Sequence, residues 1–153
     1  MPLQGEYAEL VPGWQADQVA QILASGTTRT VDVNGMSVVL FTVRGAKSGL
    51  LRRVPLMRVE HDGAYAAVAS KGGAPKNPAW YYSFKANPDV MLQDGTETGD
   101  FVAREVTGAE RDEWWQRCIT AFPPYVEYQA TLDATSKRII PIFVCDPAPT
   151  PHS

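Results

Sequence analysis

The residues best suited to chemistry fall in three short stretches. The first is residues 45–53, GAKSGLLRR, where Lys47, Arg52 and Arg53 set three cations and the Ser48 hydroxyl within seven positions. Gly45 and Gly49 free the backbone around them. Clustered cations with hydroxyl and amide donors suit a phosphate or carboxylate; the competing reading is a solvated basic turn. The spacing is not that of a phosphate-binding P-loop. The second stretch, residues 70–82, reads SKGGAPKNPAWYY. Gly72 and Gly73 let the backbone approach a flat ligand or take positive φ, Lys71 adds a cation, and Trp80 offers a stacking wall. The third holds Tyr125 and Tyr128, which share one face of a helix at a spacing of three. A phenol there would donate a hydrogen bond or a proton to a bound oxygen, or else the pair simply packs.

Other chemistries find little support. His61 and His152 lie too far apart for an evident histidine centre, and Cys118 and Cys145 sit among apolar residues as small hydrophobes. No metal site is expected. Glu97, Asp100, Glu110, Asp112 and Glu113 read as turn and surface charges. The net charge of −3 argues against nucleic acid as a partner. No run approaches the ~20 apolar residues of a membrane span, and the start carries Glu6 and Glu9 rather than a signal pattern. The expectation is a cytoplasmic protein with reduced thiols and a small-molecule substrate.

These stretches need elements to hold them. Apolar residues recur at helical spacing over 14–25, ended by Gly26. Residues 36–43, MSVVLFTV, read as a strand buried on both faces. Further strands are predicted at 51–60, with Pro55 interrupting the ladder, and at 64–70 after a hairpin at Asp62-Gly63. Asn77-Pro78 is read as N-cap and first turn of a helix ending before Pro88. Strands follow at 90–93 and 98–106, a capping box at Thr107 and Glu110 opens another helix, Pro123-Pro124 breaks it, and a short helix at 125–132 precedes a strand at 138–145. With 153 residues, 44% hydrophobic, the chain has the size of one domain. The expected organisation is a helical start at 1–30, a barrel at 31–146 and a loose tail at 147–153. Hairpin-linked strands favour an antiparallel sheet or small barrel with marginal helices, an α+β fold.

At this point a resemblance enters. GAKSG at 45–49 with Arg52, ASKGGAPKNPAWY at 69–81, KANP at 85–88, Tyr125 with Tyr128-Gln129, and IPIFV at 140–144 are similar to motifs of the deazaflavin-dependent nitroreductase family, the actinobacterial class A oxidoreductases that use coenzyme F420. The resemblance spans about residues 30–146. The strands read above number about six and are mainly antiparallel; the resemblance implies that they form a split β-barrel, and that a hydride passes from reduced coenzyme F420 (F420H2) to small electrophiles. It also implies roles for residues. Ala46, Lys47, Ser48, Arg52 and Arg53 would hold the phosphate and glutamyl tail, with Val54 and Pro55 along it. Val68, Ala69, Ser70, Lys71, Gly72 and Gly73 would line the ring. Ala79, Trp80, Tyr81 and Ser83 would complete the pocket, with Tyr125 and Tyr128 on the substrate side. The proton donor stays open between Tyr125, Tyr128 and water. Ala46 stands where the family usually has Arg, Ser83 where it has Asn, and Phe122 where nitroreducing members have Tyr; residues 134–137 lengthen a turn, and the start lacks the arm that ties some relatives to membranes. The stretches at 57–63 and 92–96 look closest to mycobacterial relatives that reduce α,β-unsaturated lactones such as coumarins and aflatoxins. An FMN-binding split-barrel oxidoreductase and a non-catalytic deazaflavin carrier are the alternatives, and a homodimer is the expected assembly.

Overall fold

The computed structural model describes residues 3–10 and 12–149. Its elements, in chain order, are α1 (Trp14–Ser25), β1 (Asp32–Val33), β2 (Met36–Arg44), β3 (Leu51–Met57), β4 (Glu60–His61), β5 (Ala64–Val68), α2 (Ala79–Ala86), β6 (Asp89–Asp94), β7 (Glu97–Glu105), α3 (Gly108–Ala121), α4 (Pro124–Ala134) and β8 (Ile142–Pro147). The strands form one sheet in the order β1-β2-β6-β7-β8-β5-β4, with β3 also paired to β2. Every ladder between these strands is antiparallel. The sheet curls until β3 and β5 face each other without pairing. The fold is therefore a split β-barrel of the α+β class.

The apolar run of β2 does what a doubly buried strand requires. Val39, Phe41 and Val43 point into one cluster with Phe84 of α2, whereas Val38 and Leu40 point the other way onto Val19 and Ile22 of α1. A third cluster packs α3 and α4 on β5 and β8 through Trp114, Cys118, Leu132, Ile142 and Val144. Pro55 is tolerated because β3 has a strand ladder on one side only. The remaining edge takes the segment before α1. Tyr7 bridges to Leu51, and the Leu51 N–H donates to the Glu6 carbonyl at 2.8 Å.

Several local expectations shift. Asn77 does not cap α2; Pro78 occupies the N-cap position, and the Asn77 Oδ1 instead accepts from the Arg138 guanidinium at 2.8 Å, a charge-assisted bond that outcompetes a backbone amide. The capping box also fails to form. Thr107 makes no cap bond, and the Glu110 carboxylate takes a bidentate pair of bonds from Arg104 at 2.7 and 2.8 Å. The last strand starts at Ile142 rather than at 138, because the backbone of 138–140 is occupied by side chains of Gln129 and Arg111. The expected loose tail is tied at its beginning: Pro147 still pairs with Phe101, and the Ala148 N–H donates to Asp100. Residues 150–153, including His152, lie outside the described residues.

Candidate active site

One large cavity, of about 1090 Å³, lies along the seam between β3 and β5. Its cationic end is built by β3. Arg52 is exposed and Arg53 half-buried, and neither forms an ion pair among the described residues, although the Arg53 guanidinium lies 3.8 Å from the centre of the Tyr7 ring. Val54 and Pro55 continue the wall toward Leu56 and Met57.

The opposite wall begins where β5 ends. Val68, Ser70, Lys71 and Gly72 line the cavity, followed by Ala79 and Trp80 at the start of α2. The turn between them is unusual: Lys71, Gly72 and Gly73 all have positive φ, at 48°, 62° and 83°. A Cβ built on Gly72 would meet nothing within 4 Å, so that backbone is open to a flat ligand. Gly73 faces the other way; its Cβ would come within 3.3 Å of the Tyr128 backbone, so the turn sits directly on α4. Trp80 is held by Phe84 and Phe143, with ring centroids 5.1 and 6.5 Å away.

Three aromatic rings form a cluster on the cavity wall. Phe122, Tyr125 and Tyr128 line the cavity, with centroid separations of 4.9 Å for Phe122–Tyr125 and 6.2 Å for the other two pairs. Pro123-Pro124 resets the chain between α3 and α4 and so aims all three inward. The Tyr125 hydroxyl makes no hydrogen bond among the described residues, and burial pushes its pKa well above that of a free phenol. It is a neutral donor across the physiological range.

Not every expected site residue reaches this cavity. Ala46, Lys47 and Ser48 are exposed on the β2–β3 turn, outside the lining. The Ser48 Oγ accepts from the Leu50 N–H at 3.1 Å and so shapes the turn itself. Ala69 and Ser83 are buried beneath the wall, and Tyr81 packs edge-on against Phe143 at 5.6 Å. Conversely, the modest stripe of α1 fits either packing on the body or covering a site, and nothing in the sequence marked the segment before it. Leu10, Trp14, Gln15, Gln18 and Val19 all line the cavity. The one available signal was the weak apolar stripe of α1, which buries only Val19 and Ile22 and leaves Trp14 65% exposed.

The matched family model, described as F420H(2)-dependent quinone reductase, covers residues 14–147. The chain belongs to the F420H(2)-dependent quinone reductase family. A family member from Mycobacterium tuberculosis, an F420H(2)-dependent quinone reductase, is 39% identical over 82 residues, which are 52% of this chain and 54% of that protein. The chain thus matches about half the length of its curated relatives. Among solved structures, an F420-H2 dependent reductase (FDR-A) is 55% identical, with a TM-score of 0.66 over 71% of this chain and 93% of the other. A second, described as a domain-swapped dimer, is 51% identical, with a TM-score of 0.69 over 86% and 96% of the two chains. The resemblance to a deazaflavin-dependent family is borne out at the level of the family. The residues present fit an anionic coenzyme with a planar ring: one cavity is lined by cations without carboxylate partners among the described residues, by an open glycine backbone and by an indole.

Proposed function

We propose that this chain is an oxidoreductase that uses reduced coenzyme F420 to reduce small hydrophobic electrophiles: quinones first, α,β-unsaturated lactones such as coumarins and aflatoxins next, and nitro compounds as weaker acceptors. One observation carries the reading. Arg52, Arg53 and Lys71, which form no ion pair among the described residues, share a cavity with the Gly72 backbone, Trp80 and the Phe122–Tyr125–Tyr128 cluster. In this reading Arg52 and Arg53 hold the coenzyme's acidic tail, Lys47 and Ser48 meet its far end from the neighbouring turn, and Lys71 lines the ring. Binding energy collected there, remote from the reacting atoms, fixes the ring. Val54, Pro55, Val68, Ala69, Ser70, Gly72, Gly73, Ala79, Trp80, Tyr81 and Ser83 form or back the ring's surroundings.

When bound, the reduced coenzyme supplies a hydride. The chain does the rest. Phe122 and the two tyrosines exclude water from one side of the acceptor. As the acceptor's electron-poor carbon gains the hydride, negative charge grows on its oxygen. The neutral Tyr125 hydroxyl donates a hydrogen bond there, an interaction worth roughly 3 kcal/mol when preorganised. Because burial disfavours the tyrosinate, Tyr125 keeps its proton, and the final one comes from solvent.

The test is a pair of titrations and an acceptor panel. Coenzyme F420 is expected to bind with micromolar or better affinity and its reduced form to be oxidised by a quinone, an enone and a nitroaromatic, in falling order of rate. Micromolar FMN binding with no deazaflavin binding would favour the FMN oxidoreductase. Tight deazaflavin binding with no turnover on any acceptor would favour a carrier. We further propose a homodimer in the cytoplasm. The domain-swapped dimer formed by a 51% identical relative supports the dimer. The two buried, unbridged cysteines, and the absence of any helix long and apolar enough to cross a membrane among the described residues, are compatible with that compartment. A monomer by light scattering at tens of micromolar would overturn the dimer.

A further inference from the structure

Arg138 lies outside the cavity lining, yet its side chain ends beneath the glycine turn. All five of its N–H donors are used. Nη1 donates to the Ala69 carbonyl and to the Asn77 Oδ1, both at 2.8 Å. Nη2 donates to the carbonyls of Ser70 at 2.8 Å and Ala74 at 2.7 Å, and Nε donates again to Ala74 at 3.2 Å. The acceptors bracket the turn, two before Lys71 and two after Gly73. Between them lie the three consecutive residues of positive φ, one of which, Lys71, is not glycine. Such backbone persists only when its surroundings over-determine it. The bracket is itself anchored. The Gln129 side chain on α4 accepts from the Ile140 N–H and donates to the Arg138 carbonyl, at 2.9 and 3.0 Å, and Arg111 donates to the Ile140 carbonyl at 2.7 Å. No carboxylate lies within ion-pair distance of Arg138 among the described residues. Its charge is therefore met by carbonyl and amide oxygens alone, directly behind the wall formed by Ser70, Lys71 and Gly72.

We propose that Arg138 is a positioning residue: it clamps both ends of the 69–77 turn and thereby holds the Ser70–Gly72 backbone in the shape that receives the coenzyme ring. The inference rests on the reading that the coenzyme binds in this cavity. Only an arginine fork can serve four acceptors at once; a lysine keeps the charge but has three donors and no plane.

The test compares Arg138→Gln and Arg138→Lys with Arg104→Gln, which cuts a network of three bonds to Glu110 and Asp146, none of these residues lining the cavity. Two quantities are read well below the melting temperature: coenzyme F420 affinity by fluorescence, and the rate of tryptic cleavage after Lys71 by peptide mass. Arg138→Gln is expected to weaken affinity about tenfold or more and to speed cleavage about fivefold, the size of effect that releasing a strained turn gives. Arg138→Lys is expected to fall between it and the wild type. Arg104→Gln is expected to lower the melting temperature yet keep affinity within about twofold of wild type. Wild-type affinity and cleavage in a folded Arg138→Gln overturn the proposal, as does an equal loss of affinity in Arg104→Gln. Should Arg138→Gln not fold, Arg138→Lys decides, and wild-type affinity there overturns it. A wild-type chain that binds no coenzyme instead overturns the functional reading, a result none of the variant comparisons can mimic.

Discussion

Arg52 and Tyr125 line one cavity, and their environments assign them different work. Arg52 is exposed and without a carboxylate partner among the described residues. Its cost of desolvation on binding an anion is modest, and a charge-assisted bond there is worth about 1.5–3 kcal/mol. Arg52→Ala is accordingly expected to weaken coenzyme binding by about 10- to 100-fold in a fluorescence titration, with the fold intact. Tyr125 is 4% exposed, and its hydroxyl is held in the neutral form by burial. Tyr125→Phe should lower turnover about 10- to 100-fold with coenzyme affinity nearly unchanged. A variant that loses affinity but not turnover would reverse the assignment. No ionisation limb from Tyr125 is expected in the rate profile up to pH 10, since its raised pKa lies above that range.

At the scale of elements, the fold depends on how α3 is fastened to the sheet, and the site on how α4 and the glycine turn are. α3 is pinned at its start by Arg104 of β7, which holds Glu110 by two bonds and Asp146 by a third at 2.8 Å. The first cause of the lowered Glu110 pKa is the hydrogen bonding from Arg104. A carboxylate whose folded pKa lies below its unfolded value adds stability at neutral pH and loses it as pH falls through the carboxylate range. The Arg104→Gln variant should therefore differ from wild type in urea unfolding at pH 7 and converge on it near pH 3. α4 bears the turn itself. Gly73→Ala combines a φ of 83° with a Cβ only 3.3 Å from the Tyr128 backbone. The substitution is expected to cost about 1–3 kcal/mol in unfolding free energy and to displace Tyr128, visible as slower turnover.

The whole molecule is a curled sheet whose two ends must be kept at a fixed separation for the cavity to exist. One tie crosses it away from the site. The Tyr65 hydroxyl on β5 and the Arg58 Nε both donate to Asp94, at the end of β6, at 2.6 and 2.9 Å. Burial, then the bond to Asp94, pushes the Tyr65 pKa up to about 12 from the usual 10.0. The neutral phenol is thus favoured in the folded state. Its contribution is complete below the unfolded phenol pKa and is lost as pH climbs from about 10 to about 12. Thermal melts should show an alkaline loss over that window, and Tyr65→Phe should flatten it. An unchanged alkaline profile in the variant would mean that this tie between β5 and β6 does not stabilise the curl.

The sequence by itself determined most elements and the chemistry they carry. The doubly apolar run at 36–43 is β2 because only a strand buried on both faces needs it, and the Asp62-Gly63 hairpin and the proline break before α4 are where local backbone preference demands them. Cations near Arg52, glycines at 72 and 73 and paired tyrosines were legible as types at spacings. The tertiary structure decided which of them meet. It brought Arg52, Gly72 and Tyr125 into one cavity, left Lys47 and Ser48 on a neighbouring turn, and added Leu10 and Trp14 to the lining. It also decided contests between local and distant partners. Asn77 and Glu110 are plausible caps in isolation, but each finds an arginine far away in sequence or across an element boundary, and a charged fork binds an oxygen more strongly than a backbone amide does. Arg138 carried no local signal at all, because its meaning is the closeness of residues 69–77, which only the folded sheet supplies.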